Sequence, residues 1–401
     1  MTASTPSSRA PHRGLTLIEL LVAMAIGLIV TLAVTSIVTV GEAHKRTTTS
    51  TNDMSQSGAF AAYALDRVLR SAGSGFVQSG TLGVYGCKLS VARDIGGTAT
   101  TILPRLTAFP APFASFLGGA GAGFAGNLRV APLLIAQDQS ATGSDVLVVM
   151  GGNGAAGDIP RQIRSGVTGT NNLRLNNTIG LANGDLGLVA QEGTEDCLIE
   201  QVNVTDTTAF AAAGNEVLPL GGRYFTSTGA TTSLATLAAG GSAYYTPLGN
   251  TLSNNVQFQL LGVGANQTLF AYDLLRSAGT GSDADALQTI ADSVVELRAL
   301  YGIDTNGDGI INDWVAPSGT TYGIANLMTK PADIRQIVAV RVALVMRSAE
   351  LNKDNVSPAS LTLFSDLATA LQRSVTLDPR YRYRVIDTTI PLRNMLLQSA
   401  S

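Results

Sequence analysis

The chain has 401 residues, 43 of them glycine, and a formal net charge of −3; only 14% of its residues are charged, against an ordinary share of about 25%. That sparse, slightly acidic charge argues against nucleic-acid binding and for an extracytoplasmic, β-rich chain with long uncharged loops. The two histidines are His12 and His44. The rest of the chain therefore has no imidazole for a Ser-His or Cys-His relay or a histidine metal site, and it lacks a Gly-x-Ser-x-Gly elbow, so no enzyme is expected.

Residues 1–14 carry Arg9 and Arg13 and no acid, which leaves 24 basic and 29 acidic residues after them. From Leu20 to Gly41 no residue is charged, long enough for one helix across a bilayer core of about 30 Å at about 1.5 Å per residue. The basic flank orients the first residues to the cytoplasm and sends the remainder out. Glu19 lies just before it, inside the wider apolar run that begins at Leu15. A charge at the centre of a membrane helix costs roughly 2.5 to 3.5 kcal/mol on insertion scales, so such a group needs a partner. A cut between Gly14 and Leu15 would supply one. In a bundle of identically inserted helices, the new α-amine of one subunit would face the Glu19 carboxylate of its neighbour. An ordinary secretory signal fits poorly, because the apolar run exceeds about 15 residues and Gly41-Glu42-Ala43 is a weak cleavage site. An uncleaved anchor with a chance glutamate is the other reading.

Gly14-Leu15-Thr16-Leu17-Ile18-Glu19-Leu20 resembles the class III signal of type IV pilins and type II secretion pseudopilins. The resemblance implies cleavage after Gly14 by a membrane prepilin peptidase, methylation of the Leu15 amine and an assembly role for Glu19. Leu15 departs from the phenylalanine most common at that place.

The expected organisation is a cytoplasmic leader over 1–14, a transmembrane half-helix over 15–40, an amphipathic periplasmic half-helix over 41–73, and a β-rich head over 74–401, as one elaborate unit or two packed lobes. The Thr47, Thr48, Thr49 and Thr51 cluster is expected to soften the helix. Phe60, Ala64 and Val68, with Ala61, Leu65 and Leu69, then restore i, i+4 spacing, and Gly73-Ser74-Gly75 ends it. A nearly continuous rod from Leu15 to Ala72, about 85 Å long, is feasible.

Residues 76–124 read as loops with short strands. Strands are predicted over 145–150, closed by Gly151 and Gly152, and over 186–190, 198–204, 223–227, 242–246, 256–261 and 268–274. Residues 286–303 carry a mixed helix and strand pattern, 334–346 a strand and 361–371 a short amphipathic helix. Arg380, Arg382 and Arg384 alternate with Tyr381, Tyr383 and Val385. This period of two puts the arginines on one face of a strand running towards Ile390, read as a solvated sheet face rather than a nucleic-acid patch.

Asp304-Thr305-Asn306-Gly307-Asp308-Gly309-Ile310-Ile311-Asn312-Asp313 is the sharpest polar constellation of the head. Side-chain oxygens of Asp304, Asn306, Asp308 and Asn312, the Ile310 carbonyl and a glycine at the sixth position are what a tight Ca²⁺ loop requires. Val315 stands where an EF-hand has its bidentate glutamate, leaving Asn312 or Asp313 to complete the shell. A polar Asx and glycine turn without metal is the competing reading. Cys87 and Cys197 both lie in the exported part, where one bridge closing about 110 residues is plausible; spacing does not decide between that and two separate buried thiols. Two Gly-x-Gly-x-x-Gly matches occur, at Gly121, Gly123, Gly126 and at Gly152, Gly154, Gly157. Pro160 interrupts the helix that should follow the second, so no nucleotide and no organic cofactor is expected.

Further blocks resemble the PilW family of large minor pilins: Ser144-Asp145-Val146-Leu147, Asp196-Cys197, Val294 to Asp308 with Tyr301-Gly302-Ile303-Asp304, Val338 to Leu344, and Tyr383-Arg384-Val385 through Asn394. The resemblance implies an α+β pilin-like fold, a long N-terminal helix packed on an antiparallel sheet, with large loop insertions. It also implies a structural subunit of a type IV pilus that primes assembly at the tip. Its partners would be other minor pilins, the major pilin, often a large tip adhesin, the prepilin peptidase and the inner-membrane assembly platform. The alternative is a J-type pseudopilin of type II secretion, a class that is usually much shorter.

Overall fold

The structure, a computed structural model, describes residues 14, 16–118, 128–154, 157–165, 171–204, 217–278, 283 and 285–399. The leader, Leu15 and the glycine trio Gly121, Gly123 and Gly126 lie outside the described residues. The chain divides into two units, Met1–Asp53 and Met54–Ser401, and one helix, α1 (Leu17–Arg70), runs through both.

In the first unit every described residue from Thr16 to Glu42 whose side chain is placed is exposed. Among the described residues, α1 is the one helix long and apolar enough to cross a membrane. Its hydroxyls need no outside partner. Thr31, Thr35, Ser36 and Thr39 each donate to a carbonyl three or four residues back, as a polar group in hydrocarbon must. The same device corrects the expected softening: Thr48 Oγ1 donates to His44 O at 2.9 Å and Thr51 Oγ1 to Thr47 O at 2.8 Å, and the helix continues unbroken. The propensity cost of a threonine is a few tenths of a kcal/mol, about what neighbouring turns recover.

In the second unit the buried line of α1 is Met54, Gly58, Ala61, Leu65 and Leu69. A Cβ on Gly58 would come within 2.7 Å of Ile386 Cδ1 and 3.2 Å of Met346 Cγ, so the helix backbone rests directly on a sheet. Phe60 lies about 200° round the helix from Gly58 and is 57% exposed, so it does not join the buried stripe. That sheet is antiparallel, in the order β15 (Asp313–Val315), β14 (Val294–Ile303), β16 (Ile337–Arg347), β19 (Tyr383–Pro391). The mixed pattern over 286–303 resolves into two strands, β13 (Leu287–Asp292) and β14, and the residues before β16 form a short helix, Pro331–Arg335.

Leu300, Ala343 and Val345 of this sheet are covered by Leu363, Phe364 and Val375. These belong to a hairpin, β17 (Ser360–Leu363) and β18 (Arg373–Thr376), not to the amphipathic helix expected over 361–371. Leu361 and Leu363 fit a period of two as well as a helix, and packing on the sheet decides. Arg341 latches the hairpin: it bonds Asp366 at 2.7 and 2.8 Å and Asp387 of β19 at 2.9 and 2.7 Å, with the Phe364 ring beneath. Arg380, Arg382 and Arg384 do not share one strand face, since only Arg384 lies within β19. Arg380 sits in a turn and pairs with Asp378, whereas Arg384 donates to Ser55 of α1.

The main core joins α1 to this sheet and to a second one, ordered β13, β12 (Thr268–Asp273), β11 (Val256–Val263), β4 (Val146–Gly152), β3 (Leu133–Ala136). Gly151 and Gly152 belong to β4 rather than closing it. A Cβ on Gly152 would stand 2.0 Å from Leu248 O and one on Gly151 2.6 Å from Ser71 O, so only glycine admits those backbones. A third sheet runs β2 (Thr98–Leu103), β1 (Lys88–Ile95), β8 (Asp196–Gln201), β7 (Asp185–Ala190), β10 (Tyr244–Asn250), β5 (Arg161–Gln162). Its β1 and β8 pair in parallel, with Leu89 opposite Cys197, the one exception to the antiparallel pattern among the described strand pairs. Residues 223–227 form no strand, because Arg223 O and Tyr224 O accept from Asp94 N and Gln201 N, and Tyr224 N donates to Gln201 Oε1. Their backbone groups are spent on several neighbours instead of one ladder.

Candidate functional site

The start of α1 carries a reciprocal cap. Thr16 N and Thr16 Oγ1 both donate to Glu19 Oε2 at 2.9 Å, and Glu19 N faces Thr16 Oγ1 at 3.4 Å. Thr-x-x-Glu is a capping box, in which the side chains at either end satisfy the first orphan N–H groups of a helix. The motif is readable in Thr16-Leu17-Ile18-Glu19, yet the apolar setting of Glu19 draws attention to its charge alone. Glu19 therefore has a local partner within its own chain, and Gly14 stands exposed with no heavy atom within 4 Å of a Cβ placed on it.

In the head, Cys87 and Cys197 are joined in a disulfide, with their Cα atoms 5.7 Å apart. It ties the start of β1 to β8 where the two strands run parallel.

The Asp304 loop is closed by its own hydrogen bonds. Asp304 Oδ1 accepts from Asn306 N and Gly307 N at 3.2 and 2.7 Å, and Oδ2 accepts from Gly309 N at 2.7 Å. Burial pushes the Asp304 carboxyl up, but these N–H donors outweigh it and hold the group below its ordinary value. Asn306 Nδ2 donates to Asp308 Oδ2 at 3.0 Å, and Asn312 Oδ1 accepts from Thr305 N at 2.7 Å. Asp313 begins β15. Among the described residues no three His, Cys, Asp or Glu side chains gather as a metal cluster. The oxygens of Asp304 and Asp308 are thus engaged by N–H donors of the loop itself.

The Ser144-Asp145 block and the β14 residues meet in space. Buried Asp145 accepts from Ala299 N at 2.9 Å and Asp138 N at 3.1 Å, and pairs with Arg298 Nη1 at 3.0 Å. Arg298 also pairs with Glu296 at 2.7 Å and with Asp138. Burial raises the Asp145 and Glu296 carboxyls and Arg298 opposes the rise. Ile135 N donates to the hydroxyl of fully buried Tyr301 at 2.5 Å. This polar seam staples the β4 sheet to the β14 sheet, so these residues hold architecture rather than reacting groups.

Comparison with known proteins bears on both ends of the chain. A family described as "Type IV Pilus-assembly protein W" matches residues 262–394, from the end of β11 to the C-terminal helix Arg393–Ser399. A family described as "Prokaryotic N-terminal methylation motif" matches residues 9–35. No curated protein and no solved structure matches the chain. Both families are structural pilus components rather than enzymes. A prepilin-type start, an apolar helix long enough for a membrane and a β-sheet head whose last third fits the family support a PilW-type pilin of a type IV pilus.

Proposed function

We propose that this minor pilin initiates pilus assembly and remains at the tip. In this reading the peptidase cuts after Gly14 and methylates Leu15, and the subunit waits in the inner membrane with its head in the periplasm. It then joins other minor pilins, the major pilin and the assembly platform. The observation that supports it is Glu19, the one charge between Arg13 and Glu42. In the lone subunit its carboxylate has the Thr16 donors, which lowers the cost of keeping it in an apolar run until the amine of a neighbour replaces or joins them. The test is Glu19→Ala in the native host. Processing should stay largely intact while incorporation into fibres falls; normal piliation in that strain would refute the role. Loss of pili with type II secretion unchanged also separates the pilus from a pseudopilus.

We also propose that the Asp304 loop takes Ca²⁺ through Asp304, Asn306, Asp308 and the Ile310 carbonyl. Calcium should raise the melting temperature of the wild-type chain, and Asp308→Ala should abolish that rise. No calcium effect on the wild type would dismiss the site.

A further inference from the structure

A cleft of about 330 Å³ opens in the head where the β1, β10 and β12 ends approach one another, within the volume range of small-molecule sites. Three guanidiniums line it from three separate segments: Arg93 of β1, Arg223 from the loop after β9 (Val217–Pro219), and Arg276 just after β12. All three act on one point, the buried phenol of Tyr224, where they oppose the rise that burial causes. Their other commitments differ. Arg276 Nε pairs with Asp273 at 3.4 Å. Arg93 Nη1 donates to the Arg276 and Ser277 carbonyls at 2.5 and 3.1 Å, while its Nε is buried and has no hydrogen-bond partner among the described residues. The guanidinium of Arg223 is exposed and has no ion pair or hydrogen bond among the described residues.

The other walls restrict what such a cleft accepts. Asp273 and Asp285 line it too, so three cations face two carboxylates. That balance suits a single negative charge and disfavours a dianion such as hydrogen phosphate. Asn254, at φ +47°, presents an amide that no described residue bonds, and the Asp285 carboxylate accepts hydroxyl protons. Guanidiniums for a carboxylate beside an amide and a carboxylate for hydroxyls make one complementary set.

We propose that this cleft binds an acidic sugar, a hydroxylated ring carrying one carboxylate. The site belongs to the head alone and does not depend on where the subunit sits in a filament. The experiment uses the mature full chain in a sugar-free detergent, titrated calorimetrically with D-glucuronate, D-glucose and inorganic phosphate. Glucuronate should bind saturably below about 10 mM, with glucose and phosphate each weaker by about tenfold or more. Arg223→Ala, at an exposed side chain, should keep the melting temperature and lose about tenfold or more in glucuronate affinity. Asn254→Ala should weaken glucuronate binding while leaving the folded state unchanged. The proposal is overturned if glucuronate does not saturate in that range, if glucose or phosphate binds as tightly, or if Arg223→Ala binds glucuronate as the wild type does.

Discussion

Removing the Cys87–Cys197 disulfide should cost the head much of its margin of stability. The bridge spans 110 positions of sequence, and in the chain-entropy model a closed loop of that length withholds about 4 to 5 kcal/mol of freedom from the unfolded state. In the folded state the cysteines are buried, 3% and 0% exposed, at a parallel strand contact with three registered pairs, Lys88–Asp196, Leu89–Cys197 and Ser90–Leu198. The perturbation is therefore the double change Cys87→Ala with Cys197→Ala, since serine would add buried hydroxyls with their own cost. The second unit, Met54–Ser401, has an unfolding entropy of about 0.7 kcal/mol per kelvin at about 2.1 cal/mol/K per residue. The melting midpoint should then fall by about 6 °C. Thermal melts followed by circular dichroism, with and without reductant, read this directly. Reductant throughout the melt should lower the wild type by a similar amount and leave the variant unchanged. A fall of less than about 2 °C in the variant would refute the loop-entropy reasoning.

Glu200 is fully buried; among the described residues one carboxylate oxygen accepts only from Thr226 N at 3.3 Å and the other has no partner, and burial pushes the carboxyl well above its ordinary value. A raised folded pKa gives stability that is complete below the unfolded value, about 4.3, and is lost as pH rises through the folded one, by about 1.4 kcal/mol per pH unit. Denaturant titrations over pH should show that slope in the wild type relative to Glu200→Gln, and parallel curves would refute it. Arg105 and Asp283, both 0% exposed, pair at 2.6 Å with Tyr272 and Ser277 also bonded to the guanidinium. Arg105→Met leaves a buried carboxylate uncompensated and should cost about 3 to 5 kcal/mol; denaturation showing a cost under about 1 kcal/mol would mean the pair contributes nothing.

What could be read from sequence follows the strength of the local pattern. The apolar run after Glu19 and the Ala61, Leu65, Leu69 spacing need no tertiary information, and α1 covers both. Val146-Leu147-Val148-Val149 reads as strand because four consecutive β-formers admit little else. The hairpin of β1 and β2 is opaque, since Thr98-Ala99-Thr100-Thr101 lacks apolar alternation and Arg93-Asp94 interrupts its partner. Leu361 and Leu363 satisfy both periods, so only the apolar surface of Leu300, Ala343 and Val345 decides between them. Glu200 shares the Leu198 and Val202 face of β8 by its period of two, and every residue from Asp196 to Glu200 is buried, so the charge of a glutamate misstates its surroundings. The Arg93, Arg223 and Arg276 cleft has no signal in sequence at all: its arginines come from segments far apart, and topology alone brings them together.

The intact mass and N-terminal sequence of the chain purified from its native membrane test the pilin assignment most directly. A start at Leu15 with one added methyl group is the predicted result. A start at Met1, with residues 1–14 retained and no methyl group, would contradict processing by the prepilin pathway and with it the proposed assembly role of Glu19.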